Sequence, residues 1–433
     1  PDQLDEELAE RVGRAFVALT GAGTLAIGQD MRPSSKPMAD ALAAGAMAQG
    51  ADVLRVGLCS TDMLYYVSGA LDVAGVMLTA SHNPARYNGL KLCRPGAVPV
   101  GEESGLADIK RMVAAGEPAA DAGRRGRERQ AEDLLERYAA HVQGFADRAA
   151  LRPLKVVADA GNGMAGHVVP AVFAGLPFEL VSMYFELDGS FPNHPADPLN
   201  PENLRELQAR VVAEGADVGL AFDGDADRVF LVDEQGATVP SSLVGALVAR
   251  LMCEREPGAT VLYNLICSRV VPETIREAGG VPVRTRVGHS FIKGVMAETG
   301  AIFGCEHSGH YYFRDNYRAD SGLIAALVTL DALSRAGRPL SEVLAPYRRY
   351  VASGEINRRV DHPSEVIQAV AGRYPAETTD FADGLTVESA DWWFNLRPSN
   401  TEPLLRLNVE AVTEAEMARV RDEVLEAVGG EPA

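Results

Sequence analysis

Short apolar runs alternate with amphipathic stretches along most of this chain. Residues 25–28, 53–56, 75–78 and 156–158 read as buried strands, and 37–49 lies between two of them as a helix. Strands separated by helices form mostly parallel sheets covered on both faces. The rhythm recurs at 178–183, 217–222, 260–263, 281–286 and 301–303. It predicts about three consecutive α/β units. At ~150 residues per domain, 433 residues fit three domains, with room for four small ones.

The expected divisions are 1–145, 146–248, 249–348 and 349–433. The Ala-, Gly- and charge-rich stretch 114–130 reads as a surface excursion, followed by a helix near 131–145. Beyond 349 the pattern changes to strand 355–359, helix 363–371, strand 385–388, hairpin 391–411 and helix 413–427. The last part is therefore α+β, unlike the units before it.

Charge and cysteine usage narrow the function classes. The formal net charge of −19 makes nucleic acid and anionic membranes poor partners, since both need a basic footprint. An anionic substrate would need basic groups concentrated locally. The five cysteines form no CxxC pair, and their odd number suits reduced thiols in the cytoplasm better than disulfides or a zinc site. The opening PDQLDEELAERVGRAF reads as an acidic cap and a helix, not a signal peptide. No uninterrupted apolar run reaches the ~18 residues of a membrane span.

Four loops carry polar chemistry. LTASHNPARYNGLK (78–91) puts Ser81 just past an apolar strand, beside His82 and within reach of Lys91. Ligand groups gather outside the carboxyl ends of such strands. A hydroxyl near an imidazole and an amine suits a nucleophile or phosphoryl carrier, although the loop alone reads equally as an ordered polar turn. LAFDGDADRVFLVD ends a strand in Asp223, Asp225 and Asp227, then Arg228. Three alternate carboxylates can converge on a hard cation such as Mg²⁺, and are unfavourable together without one or a basic partner. An EF-hand is excluded: Arg228 stands where that loop needs glycine, and strands flank it.

FGCEHSGHYYF presents Glu306, Ser308 and His310, which suit sugar hydroxyls or acid–base work; His307 and His310 as a metal pair lack a third ligand nearby. FNLRPSNTEPLLRLNVEA offers Arg397, Ser399, Asn400 and Thr401 in a tight turn suited to an anion, or an ordinary hairpin. GNGMAG (161–166) is read as a structural strand-to-helix turn, and no P-loop motif occurs.

Jointly and in this order, from IGQDMRPSS (27–35) to RPSNTEP, these loops resemble the phosphohexomutase superfamily, with bacterial phosphomannomutase/phosphoglucomutase the nearest likeness. The resemblance implies three related α/β domains with mixed, mostly parallel sheets plus a smaller C-terminal α+β domain around a central cleft. It implies phosphoserine at Ser81 and Mg²⁺ held by Ser81, Asp223, Asp225 and Asp227, with Arg228 closing that loop. It places Glu306 and Ser308 on sugar hydroxyls, and Gly288 and His289 in a substrate-contacting turn. Arg397, Ser399, Asn400 and Thr401 fall on the non-reacting phosphate; Lys91 and His310 match the proton-transfer groups.

The implied reaction interconverts hexose 6- and 1-phosphates through a hexose 1,6-bisphosphate, which also serves as activator. Small hexose phosphates would be the only partners of a monomer or weak homo-oligomer. A metal-dependent phosphatase, a phosphoglucosamine mutase and a silent sugar-phosphate sensor are the alternatives. The family's YDIRG-like segment is expected upstream of Pro1. Cys305 and Ile266 stand where relatives often carry glycine and lysine.

Overall fold

The computed structural model describes residues 4–118, 121–399 and 404–432. The first sheet holds β1 (Thr24–Gln29), β2 (Asp52–Leu58), β3 (Ala74–Leu78), β4 (Leu90–Arg94), β5 (Val98–Pro99) and β6 (Glu128–Gln130). Its order is β5-β4-β3-β1-β2-β6. The second holds β7 (Leu154–Asp159), β8 (Phe178–Met183), β9 (Val218–Phe222), β10 (Val229–Asp233) and β11 (Thr238–Val239), ordered β11-β10-β9-β7-β8. The third holds β12 (Thr260–Asn264), β13 (Val281–Thr285), β14 (Phe303–Cys305) and β15 (Tyr311–Phe313), ordered β13-β12-β14-β15.

One plan underlies all three. The first strand lies between the second and third, all parallel, and the chain then reverses into an antiparallel fourth. The parallel strands are apolar on both faces because helices cover them: β3 and β9 are buried at every residue. The fourth sheet is antiparallel apart from these rules, with β16 (Val351–Arg359), β17 (Thr379–Asp380), β18 (Leu385–Glu388), β19 (Trp392–Pro398), β20 (Leu404–Ala411) and β21 (Glu431–Pro432). The helices Pro363–Ala371 and Glu414–Val428 pack against it.

Three details depart from the sequence reading. The strand expected at 301–303 runs at Phe303–Cys305, where Val261 pairs with Phe303. A strand buried on both faces has no alternation to mark its ends. The excursion 114–130 finishes in edge strand β6, parallel to β2, whose ERQ sequence carries no apolar signal. The expected division at 248/249 falls inside the continuous helix Ser241–Arg255, which is buried along most of its length.

One apolar core runs through the first three units, joining Leu54, Val156, Val244 and Phe313 among others. The first unit has a further cluster around Phe16, Leu42 and Val76. The fourth has its own, built on Phe394, Leu407 and Val424. The small group Leu265, Ile266 and Trp393 joins it to the third. All five cysteines are buried and free.

Candidate functional site

The shared plan puts the polar loops in equivalent places. Residues 79–89, 223–228 and 306–310 each connect the third parallel strand of a unit to its antiparallel neighbour. They leave the carboxyl ends of the strands, where open sheets bind ligands. Packing the three units turns these ends toward one another.

Ser81 is the meeting point of the first two. Its Oγ donates to Asp223 Oδ2 at 2.7 Å and accepts from Arg228 Nη2 at 3.1 Å. Arg228 is buried and holds Asp223 twice more, from Nε at 2.9 Å and from its backbone N–H at 3.1 Å. His82 Nδ1 lies 3.2 Å from Ser81 Oγ and also contacts Arg228 Nη2. Burial, then the Arg228 charge, holds the His82 imidazole down to about 4, so it is neutral at pH 7. The approach of the loops needs a glycine: a Cβ at Gly224 would lie 2.3 Å from the Ser81 carbonyl oxygen.

The three aspartates form an acidic corner. Burial pushes the Asp223 carboxyl up to about 8, against the pull of Arg228. Lys91 Nζ bridges Asp225 Oδ2 at 2.7 Å and Asp227 Oδ2 at 2.6 Å, and its pKa is raised far above the ordinary lysine range by these two carboxylates, despite burial. Thr61 Oγ1 donates to Asp225 Oδ2 at 2.5 Å. The remaining oxygens, Asp225 Oδ1 and Asp227 Oδ1, are buried and have no hydrogen-bond partner. One oxygen from each aspartate lies within 4.8 Å of the others. Buried carboxylate oxygens left unpaired and clustered so closely fit a hard divalent cation. β9 and β10, an antiparallel strand pair, flank the loop, as the exclusion of an EF-hand requires.

The third loop adjoins the second. Arg228 and His310 form a backbone bridge, and His310 Nε2 lies 3.8 Å from Asp227 Oδ1. Ser308 Oγ is 2.9 Å from His310 Nδ1. Glu306 is buried and receives three donors: Tyr312 OH at 2.6 Å, Gly288 N–H at 3.0 Å and Asn264 Nδ2 at 3.2 Å. Gly288 thus meets Glu306 directly. His289 begins the next helix, its imidazole held down to about 4 by burial and then by Lys293. Behind this corner sit Lys293 and Asp320, 2.7 Å apart and both buried, with Lys293 over the Tyr65 ring at 4.0 Å.

The described part of the fourth loop is held within its own unit. Arg397 Nη2 donates to Glu355 Oε2 at 3.4 Å, and Arg406 Nη2 reaches Ser399 Oγ at 3.4 Å. Burial lowers His307 in the third loop, and the charges of Glu355 and Arg397 act on it from the fourth unit. Asn400 and Thr401 lie outside the described residues. Thr61, Asp320 and Glu355 escaped the sequence reading because each is an isolated polar residue without a motif, whereas Lys293 ends the TRVGHSFIK run that holds Gly288 and His289 and was given no role. GNGMAG is structural in its contacts: Met164 N–H donates to Gly224 O at 2.9 Å, bracing the acidic loop.

Comparison with known proteins covers the whole arrangement. Residues 1–119, 136–236 and 240–350 match the phosphoglucomutase/phosphomannomutase alpha/beta/alpha domains I, II and III, and 355–427 match the C-terminal domain of that family. The chain is 40% identical to the "Phosphohexose mutases" protein of Xanthomonas campestris pv. campestris over 426 residues, covering 97% of this chain and 94% of the relative. It is 39% identical to the phosphomannomutase of Escherichia coli K12 over 434 residues, covering 98% and 95%. A crystal structure of a phosphoglucomutase/phosphomannomutase family protein from Burkholderia thailandensis superposes with a TM-score of 0.89 at 33% identity, covering 99% and 95%. Among the described residues, no helix is long and apolar enough to cross a membrane.

Proposed function

Because this chain belongs to the phosphoglucomutase/phosphomannomutase family, we propose that it is a hexose-phosphate mutase acting on mannose or glucose phosphates with Ser81 as phosphoryl carrier. The observation that carries the assignment to Ser81 is its hydroxyl, 2.7 Å from Asp223 and 3.1 Å from Arg228, where two units meet. The four units each contribute one loop, with the helix Ser241–Arg255 assigned whole to the third, so that the second and third units meet before Ser241 rather than at 248/249.

Phosphoserine 81 transfers its phosphoryl group to the free hydroxyl of a hexose phosphate. The Ser81 Oγ–P bond breaks as a bond from phosphorus to the sugar oxygen forms, and the hydroxyl proton leaves to a base. The resulting hexose 1,6-bisphosphate turns over in the cleft, and its other phosphate returns to Ser81. Arg228 offsets the charge in transit. Lys91 and His310, on either side of Asp227, are assigned the proton transfers. Asp223, Asp225 and Asp227, with Ser81, would hold one Mg²⁺, which supplies Lewis-acid stabilisation of the transferring phosphoryl group.

Arg397 with Ser399, Asn400 and Thr401 takes the non-reacting phosphate, and Glu306 and Ser308 take the sugar hydroxyls, with Gly288 and His289 beside them. A bisphosphate must be held at both ends while it reverses. A phosphate site at Arg397, on a different unit and far along the chain from Ser81, would meet that requirement and argue against a phosphatase. The protein is assigned to the cytoplasm as a monomer or weak homo-oligomer, with hexose 1,6-bisphosphate as activator.

Phosphorus NMR tests the reading with Mg²⁺, a trace of hexose 1,6-bisphosphate, and mannose 6-phosphate or glucose 6-phosphate in parallel. Sugar 1-phosphate is expected in at least one tube, and the two rates give the preference. Ser81→Ala should abolish it. Full turnover in that variant, or free phosphate as the product of the wild type, would overturn the proposal.

A further inference from the structure

We propose that Arg32 is the positioning residue of the phosphoryl-carrying loop: one buried guanidinium that fixes the backbone presenting Ser81. The inference rests on the reading of Ser81 as that carrier. Arg32 lies in IGQDMRPSS, a motif whose arginine has no part in the reaction described above. Its side chain is fully buried, so no substrate reaches it.

Every N–H of the guanidinium is used. Nε donates to Asp30 Oδ2 at 3.1 Å. Nη1 donates to the carbonyls of Pro84 at 2.9 Å and Tyr87 at 3.2 Å. Nη2 donates to the carbonyls of Asn83 at 2.6 Å and Ser81 at 2.8 Å. Five donors in a planar fork meet four carbonyls and one carboxylate, which is the full capacity of the group. A lysine has three donors on a point charge and cannot reproduce the pattern.

The carbonyls it gathers span the loop that carries Ser81. Ser81 itself has φ of 49°, a left-handed conformation disfavoured for serine. Arg32 holds the carbonyl of this strained residue, and that sets the direction of Oγ toward Asp223. The anchor is held in turn. Asp30 accepts the Arg32 backbone N–H at 3.0 Å and contacts Ser35 Oγ, while Asn88 Nδ2 at the loop's far end donates to Ser35 Oγ at 2.9 Å. The second unit closes the site. Phe191 lies with its ring centroid 5.1 Å from Arg32 Cζ, and a Cβ at Gly189 would come within 2.5 Å of Arg32 Cα. Arg32 therefore ties the carrier loop to the unit that supplies Asp223.

The test compares wild type, Arg32→Ala and Arg32→Lys. A misplacement of about 1 Å is worth about 100-fold in rate, so Arg32→Ala should lose about that factor in kcat. KM for glucose 6-phosphate should stay within about threefold of wild type, because the sugar and remote-phosphate contacts are elsewhere. Guanidinium chloride below the unfolding transition should restore part of the rate. Arg32→Lys, which keeps the charge but not the fork, should remain as slow as Arg32→Ala and serves alone if the alanine variant does not fold. Amide hydrogen exchange over 81–89 should be faster in Arg32→Lys than in wild type, a readout that needs no turnover. Wild-type kcat or unchanged loop exchange in Arg32→Lys would overturn the proposal. An inactive wild type would instead overturn the mutase reading, with the exchange result still deciding the role of Arg32.

Discussion

The first three units and the fourth solve the same task in different ways. The three share a sheet plan and an apolar core that passes between them. Their loops bond directly across unit boundaries, as in Ser81 to Asp223 and Lys91 to Asp225. The fourth unit is built on its own core around Phe394 and meets the third through a small apolar contact at Trp393 and a set of polar bonds. Arg269 supplies several of these, donating to the carbonyls of Ser389, Ala390 and Trp392. A cavity of about 460 Å³ remains between them, lined by Ile266, His307, Trp393 and Glu410. Polar, incompletely packed contacts between domains permit relative motion. On the proposed assignment the phosphoryl-transfer groups belong to the three-unit body, and Arg397 belongs to a unit whose polar joint would let it close over them and exclude water.

The contrast can be broken from either side. The largest expected effect is on chemistry. Asp225→Ala removes a member of the acidic corner and should lower kcat/KM by about 10⁴-fold, since metal-assisted charge stabilisation is worth several kcal/mol. Thermal scans should show Mg²⁺ raising the transition of the three-unit body in wild type and leaving that of the variant unmoved. Phe394→Ala acts on the other partner. Truncating a fully buried phenylalanine costs about 3–5 kcal/mol, here confined to the fourth unit. Calorimetry should separate an early transition for that unit, with the body melting as before; a single lowered transition would show the two bodies to be one.

Acid sharpens the comparison further. Burial, helped by Arg228 for His82 and Lys293 for His289, holds both imidazoles down to about 4. The unfolded chain takes up these protons near pH 6.5, so the native state binds fewer protons between about pH 6.5 and 4. Their contribution to stability is complete above about pH 6.5 and is lost as pH falls toward 4. Both lie in the three-unit body, so its melting temperature should fall between pH 7.5 and 5. His289→Asn should flatten that slope; an unchanged slope in that variant would remove His289 from the account. The smallest effect is expected at the joint. Arg269→Ala should cost about 1 kcal/mol, loosen the fourth unit and change kcat about fivefold, with body stability held.

The strand-and-helix rhythm and the four loops were legible in the sequence because each is local. Parallel strands buried on both faces show as apolar runs, and the helix Pro363–Ala371 and strand Leu385–Glu388 lie where the pattern places them. Edge strand β6 was invisible because an exposed ERQ buries nothing. The helix Ser241–Arg255 hid a unit boundary because its apolar residues occupy nearly every face. Cys305 and Ile266 read as departures in a motif, whereas in the fold both are simply buried, one in β14 and one against Trp393.

By itself, the sequence determined which residues turn out of which strands, since periodicity and turn chemistry act over a few residues. Only the tertiary structure decided that Ser81 meets Asp223 across 142 positions, that Lys91 lies between Asp225 and Asp227, and that Arg32 closes on the Ser81 loop. Those are interactions of buried and half-buried polar groups, whose partners come from other loops and other units. A buried charge has no periodicity to announce it, and its partner is fixed by the packing of whole sheets rather than by neighbours along the chain.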